Sequence, residues 1–208
     1  RVTTASLVAD YLDETLEIIK NEVENTAGLI AASGFNIDSI KHVEDLSDLF
    51  SRLSVYAHSI HLMDNTGDVI WSQPGGGITD GFHVSMYPSI VEALQTGETV
   101  VSGLVLLPDT EIPVVLIIAP VDVGRRNVSR ALIVAIDIVK SSIGGFIQPI
   151  RLGQTGYAEV VDQNGVVVVR TDPGPALAPF EKSDHSGHFA ELIAAGKPTR
   201  GLCHTCHE

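Results

Sequence analysis

Cationic side chains are scarce in this sequence, with 13 Lys and Arg against 26 Asp and Glu and a formal net charge of -13. That balance repels nucleic acid and anionic membrane surfaces, and no basic stripe offsets it, so polynucleotide partners are excluded. Long apolar runs are missing too. The longest, IPVVLIIAPV from Ile112 to Val121, is too short to cross a bilayer and contains two prolines. No nucleophile with a matching base, no paired carboxylates and no phosphate loop stand out, so the chain is not expected to be an enzyme. Cysteine is limited to Cys203 and Cys206, both in one motif, which leaves none for a disulfide framework elsewhere. The first residue is Arg1 and no signal peptide is visible, which reads as a chain processed or cut from something larger.

What remains is globular in composition. The 208 residues are 44% hydrophobic, with positive mean hydropathy, enough for one large domain or two small ones. Apolar residues at Leu12, Leu16, Ile19, Val23 and Ile30, with Thr26 filling the remaining step, line one face of a helix that Gly34 stops. A helix over residues 1–35 would be about 50 Å long, the length of a stalk beside stacked modules as much as of a core helix. A second helix is expected from Asn36 or Asp38, either of which can cap it, with Ile40, Val43, Leu46, Phe50 and Leu53 inward. Two strands then close a hairpin at Asn65-Thr66-Gly67. A short helix follows, with Pro88 in its first turn and Gly97 at its end, and then three more strands. The expectation is an α+β fold built on an antiparallel sheet of PAS-like type.

An internal repeat extends the pattern. HLMDNTGDVIWSQP, from His61, aligns without gaps on EVVDQNGVVVVRTD, from Glu159, matching Asp64 to Asp162 and Gly67 to Gly165. Both are hairpins with the same turn chemistry. Residues 36–138 then form a first module, 139–152 a linking helix, and 153–208 the start of a second module that is incomplete in this sequence. A fragment, or completion by another chain, would account for the missing strands.

The segments LMDNTGDVIWSQP, YPSIVEALQTGETVVSG, VVLIIAPVD, ALIVAIDI and GQTGYAEVVDQNGVVVVRTDP, in this order behind a long helix, resemble the double Cache family of extracytoplasmic sensor regions. The resemblance covers residue 1 to about residue 175. It implies two stacked PAS-like modules, the first membrane-distal and the second membrane-proximal. It further implies a ligand-sensing periplasmic region of a histidine kinase, chemoreceptor or cyclic-nucleotide enzyme, tethered by its own membrane spans to a cytoplasmic output domain, with a homodimer allowed. Family members that bind amino acids carry an Arg-x-Trp-Tyr cluster and an Asp on the last strand of the distal module. Asp137 matches the Asp and is a candidate pocket residue, but the cluster is absent, so amino-acid sensing is not supported. Trp71 alone on a strand reads as core before it reads as a stacking platform.

Cys203, Cys206 and His207 form Cys-x-x-Cys-His. This is the attachment signal for haem c: two thiolates add to the vinyl groups and the adjacent His takes the iron from the proximal side. A disulfide, a thioredoxin-type pair and half a zinc site are the alternatives, although no βαβ context and no second ligand pair accompany it. His185 and His188 precede a turn at Gly196-Lys197-Pro198 that can fold the motif back, making them candidates for the distal iron position. An open distal position would admit a gas. Covalent haem attachment takes place outside the cytoplasm, the compartment that the family resemblance also implies. The expected function is sensing of redox state, gas or a small molecule; the alternative is a monohaem electron carrier on the same scaffold.

Overall fold

Seven inward positions fix the long first helix in the computed structural model, which describes residues 2–32, 40–64, 66–74, 87–107, 112–121, 130–151, 157–162 and 164–171. Helix α1 (Val2–Ala32) buries Val8, Leu12, Thr15, Ile19, Val23, Thr26 and Ile30, in steps of four and three that keep to one face, with Ala27 buried beside them. Thr15, and not Leu16, completes this line; Leu16 lies to its side and is only half-buried. Helix α2 (Ile40–Leu53) packs beside α1 through Leu46, Leu49 and Leu53. Here too the inward face is rotated from the expected one, with Val43 exposed and Leu49 buried where Phe50 is partly open. Arg52 of α2 donates to Glu22 of α1 at 2.9 Å, across the seam. The expected caps Asn36 and Asp38 lie outside the described residues.

Five strands follow: β1 (Ala57–Met63), β2 (Val69–Gln73), β3 (Val100–Leu106), β4 (Pro113–Val121) and β5 (Arg130–Ile136). They form one sheet in the order β2-β1-β5-β4-β3, with every neighbouring pair antiparallel. The last strand thus inserts between the first and fourth, so the three most apolar strands are central and buried on both faces. Helix α3 (Pro88–Thr96) carries Pro in its first turn and is closed by Gly97, whose N–H donates to the Ala93 carbonyl.

Alternation along the strands divides the core into two layers. Met63, Val114, Leu116, Ile118, Ala131, Ile133 and Ala135 pack with Ile90, Ala93 and Tyr87 under α3. The intervening residues, among them Val115, Ile117, Leu132 and Val134, are also buried and point the other way, toward the face on which α1 lies over β4 and β5. Full burial of each such Ile or Leu contributes about 1.5–3 kcal/mol, so the central strands dominate the stability of this layer.

The chain divides into two compact units, 1–145 and 146–208, the boundary falling within the short helix α4 (Ser142–Ile147). The helix covers only part of the expected 139–152: it begins after the turn pinned by Asp137 and stops before Pro149, which lacks the N–H to continue it. In unit 2 the described strands β6 (Glu159–Val161) and β7 (Val167–Arg170) pair antiparallel with each other, in a sheet of their own. Arg170 donates to Glu159 at 2.8 Å across that hairpin and lies over the Tyr157 ring.

Both repeat turns are built alike. The Asp64 N–H donates to the Asp68 carbonyl and the Asp162 N–H to the Val166 carbonyl, each at 2.9 Å. Gly67 and Gly165 donate to the carbonyls of Asp64 and Asp162, with φ of 92° and 72° that a side chain would resist. The two aspartates also use Oδ1 equivalently: Asp64 accepts from the backbone of Thr66, Gly67 and Asp68, and Asp162 from that of Asn164 and Val166. Burial alone would raise the Asp64 carboxyl, but the bonds from Thr66, Asp68 and Gly67 prevail and hold it below the usual carboxylate range.

Candidate functional site

The face of the unit 1 sheet under α3 holds two buried polar side chains, Ser59 and His61. On β1, Ser59, His61 and Met63 stand opposite Ala135, Ile133 and Ala131 of β5, and Ile133 in turn stands opposite Ile118 of β4. Paired residues share a face, so a hydroxyl and an imidazole sit in an otherwise aliphatic layer. Both are buried, and His61 Nε2 lies 2.7 Å from Ser59 Oγ. Burial, with the charge of His58 as a second cause, pushes the His61 imidazole down to about 4. At neutral pH the pair is therefore an uncharged set of hydrogen-bonding atoms. On the edge strand, half-buried Ser72 is the register partner of His61.

Tyr87 closes the same layer at the start of α3. Its hydroxyl donates to the Leu106 carbonyl at 2.7 Å, and burial raises its pKa. Ala93, Ala131 and Ala135 keep the layer thin between helix and sheet. The layer thus combines small apolar side chains with a neutral imidazole and two hydroxyls. A recess of about 500 Å³ lies between Lys20, Glu24 and Gly28 of α1, the Gly97–Thr99 turn after α3, and Pro120 of β4.

Asp137, the candidate pocket residue, is buried at the end of β5 and used by the chain itself. One carboxylate oxygen accepts from the Lys140 N–H at 3.0 Å, the other lies 3.8 Å from Lys140 Nζ, and its carbonyl accepts from the Ser141 N–H. It pins the turn that leaves the sheet. Trp71 is half-buried on β2 and pairs with Leu62, on the face away from His61. The haem-motif residues Cys203, Cys206 and His207, and the distal candidates His185 and His188, lie outside the described residues. Among the described residues no three His, Cys, Asp or Glu side chains gather as a metal would require, and no helix is long and apolar enough to cross a membrane. The Ser59–His61 pair is what sequence reasoning missed. Its signal was available in the AHSIHLM segment, where alternation places both polar residues on the side of Met63.

No protein-family model matches the chain, and no curated protein matches it in sequence. Solved structures do match. The ligand-binding domain of the Pseudomonas aeruginosa PAO1 amino acid chemoreceptor PctC, in complex with GABA, is 17% identical with a TM-score of 0.61, over 79% of this chain and 71% of that one. The ligand-binding domain of the Campylobacter jejuni chemoreceptor Tlp3, in complex with L-valine, is 12% identical with a TM-score of 0.65, over 92% of this chain and 77% of that one. An extracellular ligand binding receptor from Desulfohalobium retbaense is 15% identical with a TM-score of 0.69; the match spans 91% of this chain but only 33% of that receptor. These neighbours are ligand-binding domains and receptors, not enzymes. A long N-terminal helix on an antiparallel sheet of order β2-β1-β5-β4-β3 gives this chain the fold of chemoreceptor ligand-binding domains, the PAS-like Cache type.

Proposed function

We propose that the chain is the extracytoplasmic sensor region of a transmembrane signalling protein, of histidine kinase or chemoreceptor type, in which unit 1 takes a small-molecule ligand. The observation that carries this reading is the architecture of unit 1: a five-stranded sheet with α1 across one face and α3 over a layer containing buried hydrogen-bonding groups. The fold, as distinct from the buried polar pair, is similar to that of domains whose structures hold GABA and L-valine. Membrane spans and a cytoplasmic output domain would belong to the longer protein. A library of amino acids, amines, alcohols and organic acids, screened by thermal shift and followed by calorimetry, should yield at least one saturable ligand. Failure of every compound to raise the unfolding temperature would sink the small-molecule reading.

The same sensor region is proposed to carry one covalent haem c. Support comes from the Cys-x-x-Cys-His motif, with Cys203 and Cys206 for the thioethers and His207 as proximal iron ligand, and His188 or His185 for the distal position. Bound haem would supply an iron centre responsive to redox state and gases. Protein made with periplasmic cytochrome maturation should be red and keep its colour through acid-acetone extraction. A colourless product from a competent host would refute this part alone.

A further inference from the structure

Helix α1 repeats itself every eleven residues. Leu7, Ile18 and Leu29 occupy one position of the repeat and Val8, Ile19 and Ile30 the next, while Leu12 matches Val23, Asp13 matches Glu24 and Thr15 matches Thr26. Eleven residues make three helical turns with about 20° to spare, so equivalent positions keep to one line along a nearly straight helix. The line through Val8, Ile19 and Ile30 is buried. Its neighbour, roughly 100° round the helix, is open: Leu7, Ile18 and Leu29 are 61%, 59% and 61% exposed. Single surface aliphatics are ordinary in a folded chain, but three at equal steps form a stripe about 33 Å long.

The borders of this stripe suit a second copy of the same helix. Tyr11 and Glu22 lie along the side toward α2, whose Arg52 donates to Glu22 at 2.9 Å, and Glu14 and Asn25 lie along the other side. Where two parallel helices meet across a two-fold axis, each border faces the opposite border of the second copy. Glu22 with its Arg52 then meets Asn25, Glu14 meets Tyr11, and no two carboxylates are apposed. A face of that length and roughly 10 Å wide buries roughly 330 Å² on each copy, below the ~800 Å² of a stable complex, so free chains should pair weakly. Two copies held in one membrane meet at an effective concentration of about the millimolar range, which a weak contact of this kind can use.

We propose that the Leu7, Ile18 and Leu29 stripe is an interaction surface for a second copy of this chain, the two α1 helices lying parallel and in register so that each of the three residues meets its equivalent. The parallel sense rests on the reading as a membrane-tethered sensor, since both copies then rise from one bilayer.

The test is disulfide trapping in a chain whose own cysteines are removed by Cys203→Ala and Cys206→Ala. Leu7→Cys, Ile18→Cys and Leu29→Cys are made singly, with Asp13→Cys as the control, an exposed position roughly 140° round α1 from Ile18. On mild oxidation of concentrated protein, each of the three should link to itself at least tenfold faster than the control does. Links no faster than those of Asp13→Cys would overturn the inference and leave the stripe to another segment or another protein. Leu7→Cys and Leu29→Cys proteins that link to each other faster than either links to itself would show an antiparallel pair, and would overturn it too. In the unsubstituted chain sedimentation should quicken with concentration, and Ile18→Glu, at a position the fold leaves exposed, should abolish the effect. Equal concentration dependence in the two proteins would place the contact elsewhere and sink the proposal. Ligand binding by unit 1 is read separately by the thermal screen, so either outcome leaves that reading standing.

Discussion

His61 shows how a single residue can set a pH limit on the fold. Its imidazole, pushed down to about 4, stays neutral in the folded protein across a range in which the unfolded chain takes up a proton near 6.5. The unfolded state therefore binds more protons between these values, and stability rises with pH through the window. The contribution is complete above pH 6.5 and lost as pH falls toward 4, amounting to about 3 kcal/mol. Urea unfolding at pH 7.5 and pH 4.5 should show the wild type losing more stability than His61→Phe, by roughly that amount. Equal losses in the two proteins would mean that the imidazole is not the group responsible. Asp137 acts differently at the same scale, since its carboxylate serves the backbone of its own turn. Asp137→Ala should cost about 1 kcal/mol by leaving the Lys140 N–H without its carboxylate acceptor, and Asp137→Asn should recover part of it; denaturant midpoints read both.

Among the elements, α4 separates two glycines that look alike in sequence. A Cβ on Gly144 would come within 2.1 Å of the Val139 carbonyl oxygen, whereas one on Gly145 meets nothing within 4 Å. Gly144→Ala should therefore destabilise unit 1 by about 1–3 kcal/mol or more, because backbone and not a side-chain tip must move. Gly145→Ala should be neutral or stabilising by up to about 1 kcal/mol, as should Gly28→Ala on α1, where space is also open. Thermal midpoints that fall equally for the three would contradict this packing. The contrast marks what sequence can show. Strand positions were legible because Val, Ile and Leu runs end at Gly, Pro and Asp turns, and the repeat of Asp64-x-x-Gly67 at Asp162-x-x-Gly165 was legible because its hydrogen bonds are local. The rotation of α1 and α2 was not, since Thr15 and Leu49 are inward for reasons of packing between elements distant in sequence. Ser59 and His61 share a face with one residue between them, yet only the sheet order and packing show that this face is the layer beneath α3.

For the whole molecule, the division at residue 145 assigns the two proposed activities to different parts of one chain. Unit 1 owns all five strands of the large sheet, both helical layers and the buried cluster around Ile118 and Ile133, so it contains a core that can fold by itself. The Cys-x-x-Cys-His segment proposed for haem lies in the other unit, after the described hairpin of β6 and β7 in sequence. A chain ending after Arg151, which keeps α4 entire, should unfold cooperatively, bind whatever small molecule the full chain binds, and stay colourless after periplasmic maturation. Full-length protein made alongside it should be red, Cys206→Ala should hold haem by at most one thioether, and Cys203→Ala with Cys206→Ala should hold none. His188→Ala and His185→Ala then address the distal position. If one of them ligates iron, its loss should change the visible spectrum in at least one oxidation state and open the iron to carbon monoxide, while ligand affinity in unit 1 stays within a few-fold. Spectra unchanged in both variants would remove both histidines from the iron. A red truncated chain would place the pigment in unit 1 and remove Cys-x-x-Cys-His as its origin, because no cysteine remains before residue 203 to anchor it.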